Sequence, residues 1–450
     1  MKWINKIAVI NSRLLSKETQ IDGRLLVLLA LAIYFISIFA SSFFTRYDVF
    51  WNMLGVPAVP PPFWDLRVIT SGFECHRLGY DVIVSNPCNP GVSFREVNYP
   101  RVWMSLASLG LGQNQNFQIG ILIILLFYYS IFLVIPHINY IEALVYSLIL
   151  CSPSIMLGVE RANNDLIIFG ILSASTLLLS KHRQVWRFLA YFTILFAAIL
   201  KLYPIFSLTV IVKERRRSAY IIGAFLGVIF VVYIFATFHD LQLISSATPR
   251  VDHWSYGYKI FFDLLHNDLK KIGKFLGISK GSVYTIFPDL SITVTVLLKA
   301  VLGGFAFILT LISIIAIFIV FEKTKGLDIS LNKHFSCQST YIDIFRLGAS
   351  IYIGTFLLGN NWCYRLVFLV FAIPQILTWI KSYCPLSVFS NFALAGIILT
   401  LWMKTTIDHG PGMFLHQLID WFLFFYFIYT LLFTLPDWLK LLIWKRNRFM

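Results

Sequence analysis

WRFLAYFTILFAAILKLYPIFSLTVIV, residues 186–212, is the stretch on which the architecture turns. Its 27 residues are almost wholly apolar, yet basic clusters flank both ends: Lys181, Arg183 and Arg187 on one side, Lys213 with Arg215, Arg216 and Arg217 on the other. Basic residues beside a span stay on the cytoplasmic side of the membrane. A single crossing would strand one of the two clusters outside. The segment Lys201-Leu202-Tyr203-Pro204 removes the conflict, because proline lacks an amide donor and its ring clashes with the preceding turn. The expectation is a broken hairpin with Lys201 near the outer surface and a second arm that leans on other helices.

The rest of the chain carries the same signal. Of 450 residues, 58% are hydrophobic and 13% charged, and the mean hydropathy of +0.76 is too apolar for a soluble core or a disordered chain. Apolar runs of span length recur from Leu25 to Trp438. They fall at 25–44, 119–135, 141–157, 166–179, 219–238, 292–321, 342–358, 366–380, 386–403 and 422–435. With the hairpin, the chain reads as an all-α polytopic membrane protein of about 10–12 transmembrane segments. It forms one integral membrane domain, 1–450. The first run lacks a small-residue cleavage site and is expected to stay as a span.

The net charge of +15 does not indicate nucleic acid. The basic residues gather in short connections and at the ends, around Lys2 to Arg24, Lys323 with Lys325, and Lys445 to Arg448. This is the pattern left by insertion beside anionic lipid. It sets the chain in an inner (plasma) membrane, with two long loops, 46–116 and 241–290, on the outer face. The first carries five arginines, five acids and no lysine, a balance suited to a folded, ion-paired surface. Leu66, Ile69 and Phe73 recur there at helical spacing, and Tyr258, Phe261, Phe262, Leu265, Leu269 and Ile272 repeat the pattern in the second loop. Both read as amphipathic helices, the second one lying in the membrane interface. Cys75 and Cys88 share the first loop, where oxidation is possible. A bridge would stabilise it by roughly 3 kcal/mol, and two free thiols are the alternative.

Four polar clusters converge on the outer side: Asp65 with its helix, Glu160 to Asp165, Lys201, and Asn360 to Arg365. Ionisable residues at membrane depth are costly and commonly mark a substrate site. No P-loop, zinc spacing, catalytic triad or convincing metal constellation occurs, so no cofactor is expected; too few acids cluster to argue strongly for a divalent metal, which is left open as the alternative. The chemistry on offer is one carboxylate base among cations and amides. Each group also has a structural reading. Asp65 can cap its helix, Glu160, Arg161 and Asp165 can form an ion-pair network, Lys201 can snorkel, and Trp362 and Tyr364 can be interfacial aromatics. Asp48, nearer the first span, is the alternative base.

Asp65, in a helix that ends at GYD (79–81), resembles the first outer loop of the GT-C glycosyltransferases. VERANNDL (159–166) and AAILKLYP (197–204) are similar to motifs of the branch that uses polyprenol-phosphate-mannose. The resemblance covers roughly residues 24–240. It implies sugar transfer with inversion from a polyprenyl-phosphate donor to a glycan or glycolipid acceptor, with Asp65 as general base. It further implies Arg161, Lys201 and Arg365 at the donor phosphate, and Glu160, Asn163, Asn164, Asp165, Tyr203, Asn361 and Tyr364 as substrate contacts. Residues 291–450 would supply the remaining helices. Two other readings compete: a lipid-linked sugar transporter, and a polysaccharide polymerase relying on Arg77, Arg95 and Arg101.

Overall fold

The computed structural model of the chain describes residues 22–89, 95–261, 263, 339–382, 386–406 and 411–445. The protein is an all-α polytopic membrane protein. Six described helices are long and apolar enough to cross a bilayer, or seven if one bent pair counts as a span. Three shorter apolar helices, Asp165–Leu179, Gln184–Leu200 and Tyr203–Lys213, pack among them. Of the expected segments, 292–321 lies outside the described residues. So do most of the stripe from Tyr258 to Ile272 and the basic Lys323 and Lys325.

In chain order, α1 (Arg24–Ser41) is followed by the loop helices α2 (Tyr47–Met53) and α3 (Trp64–Arg77), then by α4 (Asn116–Val134). The run at 141–157 was expected as one straight span. It is instead α5 (Tyr140–Leu150) and α6 (Pro153–Glu160), bent by 54°. Pro153 opens the second piece, where a missing amide donor costs nothing but a continuing helix would lose a bond. Asn139 starts α5 with a reciprocal cap: its side chain accepts from Ile141 and Glu142 amides, and Glu142 Oε2 accepts from its amide.

The deciding stretch folds as a hairpin. α7 (Asp165–Leu179) leads into α8 (Gln184–Leu200), Lys201 is extended, and a 3-10 arm runs over Tyr203–Lys213. Its base is pinned shut. Glu214 accepts from Arg187 at 2.7 and 3.1 Å and from Tyr191 at 2.8 Å, and Lys213 donates to the Leu179 carbonyl at 3.1 Å. At its tip, the Trp103 indole donates to the Leu200 carbonyl at 3.1 Å, satisfying a helix end that has no partner of its own.

α9 (Arg216–Ala236) and α10 (Phe238–Ala247) follow. After the second loop come α11 (Ser339–Leu357), a 3-10 segment (Cys363–Ala372), α12 (Ile373–Lys381), α13 (Leu386–Thr406), α14 (Pro411–Phe433) and α15 (Asp437–Lys445). The span 366–380 is thus half 3-10 helix. It is the centre of the bundle, 89% buried against 11% for α1 and for α9 on the rim. Apolar lipid gives helices no hydrophobic reason to associate, so close packing must hold them. Gly348 allows it: a Cβ there would lie 2.8 Å from the Phe368 carbonyl oxygen. Phe169 stacks on Phe371 with centroids 4.3 Å apart in the same core.

Among the described residues, the basic connections gather at one end, where Lys213 pairs with Asp343, Lys381 with Glu142, and Arg24 with Asp22. The first loop folds over the other end. Leu66, Ile69 and Phe73 are buried there as expected, but so are Val68, Thr70, Ser71 and Gly72. α3 is therefore embedded on most of its faces. Cys75 and Cys88 are joined by a disulfide, with Cα atoms 5.6 Å apart. A two-stranded antiparallel ribbon, β1 (Ser255–Tyr256) with β2 (Asn361–Trp362), ties the second loop to the turn after α11.

Candidate active site

Under the first loop lies a cavity of about 310 Å³. Asp65, Glu160, Arg161, Lys201, Tyr203, Tyr364 and Arg365 all line it, so four stretches remote in sequence meet in one place.

The junction of α3 with the α6–α7 turn sets the base. The Phe63 amide donates to the Glu160 carbonyl at 3.0 Å, and the Leu66 amide to the Arg161 carbonyl at 3.3 Å. Two of the four amides at the start of α3, which have no partner within the helix, are thus satisfied by the facing turn. Both partners bend sharply to meet: Phe63 has φ 65° and Ala162 φ 43°. Left-handed backbone costs a residue with a Cβ about 1–2 kcal/mol, and such strain clusters at functional sites. Asp65, in the first turn of α3, is buried, and α3 has no side-chain cap. Its Oδ2 accepts from Asn163 Nδ2 at 2.6 Å.

Asn163 then joins base to cation. Its Oδ1 accepts from Lys201 Nζ at 3.3 Å and from the Asp165 amide at 2.9 Å. Lys201 also donates to Asn164 Oδ1 at 2.6 Å and pairs with Asp165. Asp165 lies behind the cavity wall, accepts from Tyr203 Oη at 2.7 Å, and has Arg365 Nε 3.7 Å away. Asn163, Asn164, Asp165 and Asn361 are buried outside the lining; they hold the groups that face the cavity. Asn361 accepts from Arg365 and donates to the Thr355 carbonyl at 2.5 Å. Arg161 lies over the Trp362 ring, 4.9 Å from its centroid, and Trp362 stacks on Tyr364.

Asp48 sits elsewhere, on α2, with its carboxylate 3.3 Å from Arg46. Arg77 donates to the carbonyls of Ala107 and Leu111 at 3.0 and 2.6 Å. Arg101 holds Asp81 at 2.8 Å and Asp240 of α10 at 2.7 Å. This bidentate contact keeps the Asp81 carboxyl below the ordinary aspartate range and raises the Arg101 guanidinium above its own. Arg95 alone of these three arginines lines the cavity. Sequence reasoning did not assign it to this site, and an isolated loop arginine offers no spacing to find it by. Trp64, Tyr99, the α10 side chains Leu241 and Ile244, and Thr248 just beyond them were missed as well. Among the described residues, no three His, Cys, Asp or Glu side chains group as metal ligands.

The arrangement offers a buried carboxylate facing clustered cations, in a chamber of sugar dimensions. Residues 116–320 match the family model of glycosyltransferase family 87. No curated protein and no solved structure gives a match. Over that stretch, somewhat under half its length, the chain is similar to the glycosyltransferases of family 87, and this similarity indicates a membrane glycosyltransferase of GT-C type.

Proposed function

We propose that this cavity moves a sugar from a polyprenyl-phosphate donor to a hydroxyl of a glycan or glycolipid acceptor, at the extracytoplasmic face of the plasma membrane. The observation that carries the reading is the common cavity of Asp65, Arg161, Lys201 and Arg365. The acceptor oxygen attacks the anomeric carbon from the side opposite the phosphate, giving inversion. Its proton passes to the Asp65 carboxylate, while the carbon–oxygen bond to phosphate breaks and the lipid phosphate leaves with the electron pair. The cations meet the growing charge in a low-dielectric chamber, where fixed charges act most strongly. Arg95, Arg161, Lys201 and Arg365 give the chamber a cationic wall suited to a phosphate-bearing donor. The reaction needs no cofactor in this scheme. A mannosyl donor is the form the VERANND and LKLYP stretches favour.

Asp65→Asn tests it. The variant is expected to insert and melt like the parent while losing at least about a hundredfold in transfer rate, the usual scale for a lost general base. Near-normal turnover would overturn the assignment, and an equal loss in Asp48→Asn alone would move the base there.

A further inference from the structure

The ribbon that borders the cavity rests on charges that the transfer reaction does not use. Lys404 of α13 and His416, Gln417 and Asp420 of α14 are fully buried. Lys404 Nζ lies 2.5 Å from Asp420 Oδ2, 3.0 Å from His416 Nδ1 and 3.0 Å from the Ser255 carbonyl oxygen. Gln417 Nε2 donates to the same carbonyl at 3.3 Å. Asp420 is held in turn by Thr400 Oγ1 at 2.7 Å. An ion pair among apolar helices is expensive, and well-packed apolar side chains commonly serve stability as well. Fold stability alone therefore gives little reason for this pair.

Its target lies in β1. Ser255 faces Trp362 across the ribbon and Tyr256 faces Asn361, and the Cys363 amide donates to the Trp254 carbonyl at 2.8 Å. The loops meet so closely that a Cβ on Gly257, itself at φ +138°, would run into the Gly359 carbonyl. Trp362 carries the Arg161 guanidinium, and Asn361 holds Arg365. The chain from Lys404 to Ser255 to the ribbon thus ends on two of the cations that line the cavity.

We propose that Lys404, fixed by Asp420, is a positioning residue: it anchors the Ser255 carbonyl and, through the ribbon, aims Arg161 and Arg365 at the donor phosphate. This rests on the donor-site reading above. Lys404→Met alone strands the Asp420 carboxylate and is expected to misfold. The deciding variant is Lys404→Met/Asp420→Leu, which removes both charges, keeps the apolar packing and is expected to melt near the parent. In it, amide exchange at Cys363 and along the ribbon should quicken by at least about tenfold while α7 stays protected. Affinity for a short-chain polyprenyl phosphate should fall by about tenfold, with donor KM rising by a similar factor and kcat changing less. Native exchange, affinity and KM in the double variant would overturn the proposal. So would a double variant that cannot fold, because the pair would then carry the fold itself. If the parent protein fails to bind the probe, the donor-site reading falls, and the exchange measurement still decides whether Lys404 orders the ribbon.

Discussion

Asn163 serves two masters with one amide: its nitrogen donates to the proposed base and its oxygen accepts from the proposed cation. Removing it as Asn163→Ala should leave Asp65 and Lys201 free to move toward each other and pair. Turnover is expected to fall roughly ten- to a hundredfold, the worth of a charge-assisted contact. Rescue by Asp65→Asn in the same chain would contradict this account. Arg161 and Lys201 differ in a way the sequence did not reveal. Arg161 stands over Trp362, whereas Lys201 neutralises the buried Asp165. Arg161→Gln should therefore raise donor KM by about tenfold or more at a nearly unchanged melting temperature. Lys201→Gln should lower both activity and stability, since a buried carboxylate losing its partner costs about 3–5 kcal/mol. Donor kinetics and thermal melts on the same purified proteins separate the two, and a reversed order would exchange their roles.

Among the elements, α10 is the most lightly held part of the cavity wall. None of its residues is buried, and it is tied down by Arg101 to Asp240 and by Asn98 to Thr248 at 3.3 Å. The same Arg101 grips Asp81, whose carboxyl titrates below its ordinary value. A depressed carboxyl contributes stability above its unfolded pKa of about 3.9, and the contribution is lost as pH falls through the lower folded value. Asp81 should accordingly hold Arg101 in place for the tether across the neutral range and release it only in acid below about pH 4. Arg101→Gln should loosen the tether at every pH. Limited proteolysis within 238–247 as a function of pH reads this directly; a parent protein already cleaved at neutral pH, or a variant no more sensitive, would contradict it. The hairpin behaves as its charges require, because Arg187 and Glu214 close its base and leave Lys201 at the far end. The bend at Pro153 and the 3-10 arm over 363–372 were not foreseen, since hydropathy averages over the turns that separate a straight span from a broken one.

At the scale of the whole molecule, the basic connections and the cavity occupy opposite ends of the bundle, which makes sidedness testable. Cysteines introduced at the exposed Gln242 and His182 report one end each when their labelling is read against that of the parent chain, which carries Cys151, Cys337, Cys363 and Cys384 besides the bridged pair. An impermeant thiol reagent applied from outside should label Gln242→Cys and spare His182→Cys. The opposite pattern would turn the cavity to the cytoplasm and remove the extracytoplasmic donor from the scheme. The sequence by itself determined that the chain is a helical membrane protein, where it breaks at Lys201 to Pro204, and that polar groups collect beyond one end. Hydropathy and flanking charge are sums over neighbouring residues, and insertion reads them locally. It also offered Arg161, Lys201 and Arg365 as candidates, because an ionisable residue beside an apolar span stands out against its surroundings, and Asp65 as the acid that opens an amphipathic loop helix. Only the tertiary structure decided that these four share a chamber, that Asp48 does not, that Arg95 joins them, and that Asn163 and Asp165 stand behind the wall. Those outcomes depend on how helices far apart in the chain pack, and on which carboxylate a buried cation meets when several lie within reach. No spacing along the sequence encodes that meeting.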